Sequence, residues 1–145
     1  GTLVYGVEDD EVEDAALAAL DEAGATLATA EIGTAGRVNA LLAQAAARRP
    51  AAGCFRGGLV LPPTAADGAE DFAAGVGLGI GPVRPAADGR VAVDVCLATP
   101  RGPVRIEHIL GGGAALAGSR AAKSAIDQAR LWALAGGRMP AVESR

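Results

Sequence analysis

The sequence predicts an α/β domain: a three-layer α/β/α arrangement around a mixed, mostly parallel sheet. Three observations carry this. Helix-period and strand-like segments alternate from Val7 to Ile80, the order that builds parallel βαβ units. Two alternating segments, residues 90–98 and 103–110, then read as an antiparallel hairpin joined at Thr99-Pro-Arg-Gly102. A long amphipathic segment over residues 117–135 closes the chain as a helix.

Residues 7–23 read as the first helix, because Val12, Leu17 and Leu20 recur among alanines and Gly24 supplies the stop. Its start is acidic, with Glu8, Asp9, Asp10, Glu11, Glu13 and Asp14. Carboxylates in a first turn favour the helix dipole, and these lack the His or Asn neighbours of a metal site. Residues 25–30 form a short apolar strand that breaks at a small-residue turn. Val38, Leu41, Leu42 and Ala45 then mark a helix over residues 34–47, ended by Arg48-Arg49-Pro50. A second strand covers residues 55–61 before Pro62-Pro63. A short helix follows over residues 68–74, then a buried strand over 75–80 and a Pro-rich turn. In the hairpin, Val91, Val93 and Val95 point to one side. Trp132 and Leu134 sit near the end of the last helix, Gly136-Gly137 stops it, and residues 136–145 read as a flexible tail.

At 145 residues the chain holds one domain with a real core. It is 50% hydrophobic but only 3% aromatic, so that core is built from Ala, Val, Leu and Ile. The 21 glycines follow no repeat and imply tight turns. A net charge of −4 with no basic run argues against nucleic-acid binding. Cys54 and Cys96 lie in apolar contexts with no CxxC pair, the pattern of buried reduced thiols in a cytoplasmic protein. No apolar run reaches the roughly 18 residues that would span a membrane. The chain starts at Gly1 rather than methionine, as a tag scar or a fragment of a longer protein would.

The candidate site is the strand-to-helix corner. A helix start presents free backbone N–H groups that welcome an anion or a developing oxyanion. Glu31 at that corner either orients a ligand or caps the following helix, and both readings stand. Thr34 offers a hydroxyl, and Gly36 permits close backbone approach. Elsewhere the chemistry is thin. His108, the only histidine, reads as a satisfied strand residue. Lys123, the only lysine, stands four residues after Ser119, so the two could share a helix face as a nucleophile–base pair. The run Gly75-Val-Gly-Leu-Gly-Ile-Gly-Pro82 does not fit G-x-G-x-x-G, and no P-loop lysine exists. Neither a metal nor a cofactor is implied.

The corner segment Ala30-Glu31-Ile32-Gly33-Thr34-Ala35-Gly36 resembles the Ala-Glu-Ser-Cys-Thr-Gly-Gly motif of the CinA (competence/damage-inducible) family C-terminal domain. Phe55-x-Gly57-Gly58 is similar to that family's Phe-x-Gly-Gly, and Gly79-Ile80-Gly81-Pro82 to a contracted Thr-Gly-Ile-Ala-Gly-Pro loop. The hairpin and last helix, with Arg120 near the helix start, follow the family order. The resemblance implies nicotinamide mononucleotide deamidation, in which a lysine-activated serine attacks the carboxamide and ammonia leaves. Here the serine position is Ile32, and the family's tyrosine and lysine fall near Pro62 and Asp67. The resemblance therefore implies a degenerate domain acting as a binding or assembly module, a homo-oligomer with a pocket for a nucleotide-like small molecule. Its ligand-contacting residues would be Glu31, Thr34, Gly36, Gly57, Gly58, Gly81 and Arg120. The alternative is a surviving deamidase that uses Thr34, or a water held by Glu31, as attacker.

Overall fold

The computed structural model describes residues 12–49, 53–60, 76–111 and 113–136. The first helix, α1 (Val12–Glu22), ends where Gly24 adopts φ 68°. There the Ala25 N–H reaches back to the Leu20 carbonyl (2.9 Å) and the Gly24 N–H to Asp21 (3.0 Å). This double closure satisfies carbonyls that the last turn leaves open. Strand β1 (Leu27–Glu31) follows, then a turn and α2 (Arg37–Arg48). Next come β2 (Phe55–Val60), β3 (Val76–Ile80), β4 (Arg84–Pro85), β5 (Val91–Thr99) and β6 (Gly102–Leu110), and α3 (Gly113–Leu134) closes the order.

The expected α/β class with a mixed sheet is what the chain adopts. β1 pairs in parallel with β2 and β3, and β5 runs antiparallel to β3, β4 and β6. Five of the six described strands therefore point one way and β5 alone is reversed. The hairpin closes with the two residues Pro100 and Arg101, and Gly102 at φ 113° supplies the left-handed backbone that the tight reversal needs.

Register sorts the side chains into faces. Thr29 and Glu31 of β1 lie beside Leu78 and Ile80 of β3, which lie beside Leu97 and Val95 of β5, which lie beside Val104 and Ile106 of β6. This face joins Leu17, Leu20, Val38, Leu42, Ile126 and, from α3, Ala121, Ala122, Ala125 and Ala129 in one core. Alanine-rich helices pack close to such a sheet, which is how a chain with so few aromatics fills its interior. The opposite face carries small residues: Ala28, Ala30, Gly77, Gly79, Ala92 and Ala98. The short helix expected over 68–74 lies outside the described residues, as does the tail beyond Gly136.

Four elements differ from expectation. β4 and the one-turn 3-10 helix Ala87–Gly89 occupy the segment read as a Pro-rich turn. α2 starts three residues late, because Ala35 (φ 53°) and Gly36 (φ 95°) are both left-handed. α3 starts four residues early, at Gly113.

A charged network joins the three helices. Arg48 of α2 makes a two-pronged contact with Asp14 of α1 (3.0 and 3.1 Å), and Lys123 of α3 binds Glu13 of α1 at 3.0 Å. The acidic first turn of α1 thus has cationic partners from both other helices. Cys54 is buried, its thiol donating weakly to the Leu17 carbonyl at 3.6 Å, and burial pushes its pKa up. Cys96 is half-buried on the opposite face of the sheet, less enclosed than expected.

His108 faces α3 from β6, opposite Val93. Its Nε2 is buried without a hydrogen-bond partner, so the residue is structural but not satisfied. Burial lowers its pKa, and the negative charge of Asp127 opposes that only in part. The folded protein therefore prefers neutral imidazole, and the unfolded chain takes up a proton first as pH falls below about 6.5. Stability is full above that pH and declines as pH drops through the lowered folded-state value. In denaturant titrations at about pH 7.5 and pH 5.5, the wild type is expected to lose stability at the lower pH and His108→Gln to lose measurably less. Equal losses in the two proteins would remove His108 as the cause.

Candidate functional site

The corner after β1 is built by backbone. Ile32 N–H donates to the Ile80 carbonyl (2.9 Å) and Gly33 N–H to the Gly81 carbonyl (3.0 Å), extending the β1–β3 ladder past the end of both strands. The Gly81 N–H in turn donates to Asp94 of β5 at 2.9 Å. Gly33 has no room for a side chain: a Cβ there would lie 2.6 Å from the Gly81 oxygen and 2.8 Å from the Val83 nitrogen. The family motif carries a cysteine at this position, and the contracted Gly81-Pro82-Val83 passage excludes one.

Glu31 decides what the corner can do. Its side chain is completely buried. Oε1 accepts the Val38 N–H at 3.0 Å and the Thr34 hydroxyl, and Oε2 accepts the Asn39 N–H at 2.7 Å. The residue preceding the helix, Gly36, has no side chain to cap with, and the carboxylate five residues earlier in the chain does so instead. Arg37 N–H bonds the Thr34 carbonyl (2.9 Å), and Ala40 N–H starts the regular ladder at Gly36 (2.9 Å). Every first-turn donor of α2 is therefore engaged within the protein. A buried anion at the positive end of a helix, with three donors, is also the arrangement that makes a buried carboxylate tolerable.

Thr34 is likewise fully buried and spends its hydroxyl proton on Glu31. Ile32 is 8% exposed and belongs to the core, so the serine's position in the family motif presents hydrocarbon. Ala35 and Gly36 hold left-handed backbone at the two places where the family motif has glycines. Ala35 takes this conformation at a cost of about 1 kcal/mol in steric strain.

The structure brings Glu31, Thr34, Gly36 and Gly81 together at this corner. Gly58 lies next to them: a Cβ there would strike the Thr29 hydroxyl at 2.0 Å and approach Asn39 Oδ1 at 3.1 Å, so only glycine lets β2 lie against β1 here. Thr29 itself is fully buried and its hydroxyl has no partner. Gly57 stands apart. With φ 109° it forms the bulge that shifts the β1–β2 register between Leu27 and Thr29. Arg120 is exposed on α3, two residues beyond Gly118 and so on a nearly opposite side of the helix. Gly118 is the position that meets the corner, with the guanidinium of Arg37 lying over it and reaching the Thr34 carbonyl at 3.4 Å. No sequence signal marked Arg37 or Asn39, since contacts between α2 and its neighbours are long-range. The Ser119–Lys123 pair does not serve as a dyad here, because Lys123 is bound to Glu13 and Ser119 is exposed. The Pro62 and Asp67 positions lie outside the described residues.

Among the described residues no group of three or more His, Cys, Asp or Glu side chains could hold a metal, and no helix is long and apolar enough to cross a membrane.

These features define an α/β domain with a self-capped strand-to-helix corner at the carboxyl end of its parallel strands. Its fold is similar to that of solved competence/damage-inducible (CinA) superfamily proteins. A CinA superfamily protein from Klebsiella pneumoniae superposes with a TM-score of 0.64 at 19% identity, over 88% of this chain and 98% of that one. The competence damage-inducible protein A of Klebsiella pneumoniae subsp. pneumoniae gives 0.62 at 18% identity, over 86% and 96%. The competence/damage inducible protein CihA of Agrobacterium tumefaciens gives 0.58 at 13% identity, over 93% and 99%. No family model and no curated protein matches the sequence.

Proposed function

We propose that this chain is a CinA-type domain without amidohydrolase chemistry, serving as a binding or assembly module. One observation carries the reading: the place of the attacking serine is a buried isoleucine, Ile32, beside a helix start whose donors Glu31 already occupies. Hydrolysis of an amide needs a nucleophile and donors aimed at the developing oxyanion, and this corner offers neither. Thr34 is a poor substitute, since a fully buried hydroxyl bonded to Glu31 cannot approach a substrate carbonyl while the turn is closed. The test is ammonia release from nicotinamide mononucleotide by the intact chain. The expected rate is indistinguishable from the background without protein. Turnover at an ordinary enzymatic rate, on the order of 1 per second or more, would overturn the reading.

A further inference from the structure

Among the described strands β2 pairs with β1 alone, and that pairing is interrupted. Leu27 faces Phe55, yet two residues further along β1 Thr29 faces Gly58 rather than Gly57. β2 therefore spends one extra residue on a bulge. A strand's register is ordinarily fixed by the side chains that reach the core, because a slip of one residue turns each of them to the other face. Beyond Arg56 that constraint is weak. Gly57 and Gly58 carry no side chain, and Leu59 and Val60, which follow on opposite faces, are 50% and 53% exposed.

Sterics single out the same pair of glycines. Whatever faces Thr29 has to lack a side chain, since a Cβ on Gly58 would lie 2.0 Å from the Thr29 hydroxyl oxygen and 3.0 Å from its carbonyl oxygen. Space does not explain the glycine at 57, where a Cβ would meet nothing within 4 Å. Its φ of 109° explains it for the bulged pairing. Without the bulge, Gly57 itself would face Thr29 and meet the steric demand that Gly58 meets now. Two successive glycines thus fit β2 to β1 in two registers. The bulged register is also not a deep minimum. It leaves one residue of the ladder unpaired, and in it the fully buried Thr29 hydroxyl has no partner.

We infer that β2 is a two-position element, exchanging between this register and one slipped by a single residue. In the slipped pairing Gly57 faces Thr29, Gly58 faces Ala30 and Leu59 faces Glu31, while Phe55 and Arg56 keep their places. The consequence falls on the corner. Val60 now flanks the turn, its Cγ2 3.4 Å from where a Cβ on Gly36 would stand. After the slip Leu59 takes that position, which is half-exposed and has room for one more methylene. The cap is untouched, because Glu31 holds the amides of Val38 and Asn39 on α2 and none on β2. The device therefore changes which apolar side chain borders the start of α2 and leaves the helix start itself closed.

This inference goes beyond the proposed function and does not depend on the ammonia assay. The experiment is solution NMR on the isotopically labelled full chain. In the wild type, saturation-transfer profiles of the Gly57, Gly58, Leu59 and Val60 amides are expected to show a second state at about 1–10% of the molecules. Its exchange falls in the slow range of register shifts, and the amides of α1 and α3 show no such state. Gly58→Ala is expected to make the slipped register the major one. Its methyl then turns to the Ala30 side, where Leu59 is accommodated half-exposed, and nuclear Overhauser contacts link Thr29 to Gly57 instead of residue 58. The wild-type measurement stands whether or not the variant folds. A wild type with no second state at these four amides would overturn the inference. So would a Gly58→Ala protein that unfolds, or one that keeps residue 58 opposite Thr29.

Discussion

Glu31→Ala is expected to lower the stability of the fold by about 3–4 kcal/mol, the largest effect of any single polar side chain among the described residues. Three donors converge on that carboxylate: the backbone N–H groups of Val38 and Asn39 and the hydroxyl of Thr34. Removing it strands the Val38 N–H and the Thr34 hydroxyl in the interior, where their bonds to Glu31 are buried, and leaves the part-buried Asn39 N–H without its acceptor. Hydrogen bonds to a charged group contribute about 1.5–3 kcal/mol each, and a buried donor left alone costs a comparable amount. The favourable interaction of the anion with the start of α2 disappears as well. Glu31→Gln retains one accepting oxygen and loses about 1–2 kcal/mol. Chemical denaturation of the three proteins measures this. An alanine variant within about 0.5 kcal/mol of wild type would mean that the carboxylate is not the cap.

The second large effect is expected at Gly33, where alanine costs about 2–3 kcal/mol. The new methyl would stand 2.6 Å from the Gly81 oxygen, 2.8 Å from the Val83 nitrogen and 2.9 Å from the Val83 Cγ2. Two of these neighbours are backbone, so no side-chain rotation relieves the clash. Accommodation has to move Gly81 away from Gly33, lengthening the hydrogen bond that ties the corner to β3. Gly53→Ala is the control, because its Cβ would meet nothing within 4 Å and its backbone is not left-handed. Equal denaturation midpoints for the two variants would contradict the close passage of the Gly81–Val83 segment over the turn.

Much of this architecture is legible in the amino-acid order. Residues 25–30 make a short, largely apolar run, a small-residue break follows, and Val38, Leu42 and Ala45 recur at helical spacing, so the strand–turn–helix unit follows from local rules. The hairpin follows from its valine alternation and its Pro-Arg-Gly reversal. What local rules miss is what depends on distant partners. The strand Arg84–Pro85 is too short to carry a period, and it exists because Ala92 and Val91 offer a ladder. The late start of α2 follows from a left-handed alanine, which propensity alone does not select. At the site, the choice between capping and ligand contact for Glu31 is undecidable from spacing, because both put a carboxylate at a helix start. Only the placement of the Val38 and Asn39 amides around it resolves the geometry. Lys123 offers the same lesson in reverse: its helical spacing to Ser119 pointed to a local pair, but its partner is Glu13, on the first helix of the fold.

Hydrogen exchange at the amides of Val38 and Asn39 tests the closed corner most directly. First-turn amides of a helix ordinarily exchange as freely as those of a loop, because nothing inside the helix accepts from them. With Glu31 as their acceptor they are expected to be protected to nearly the extent of Leu42 in mid-helix, and unchanged when nicotinamide mononucleotide is added. Exchange at unprotected rates, or a change in either amide on adding the nucleotide, would contradict the account.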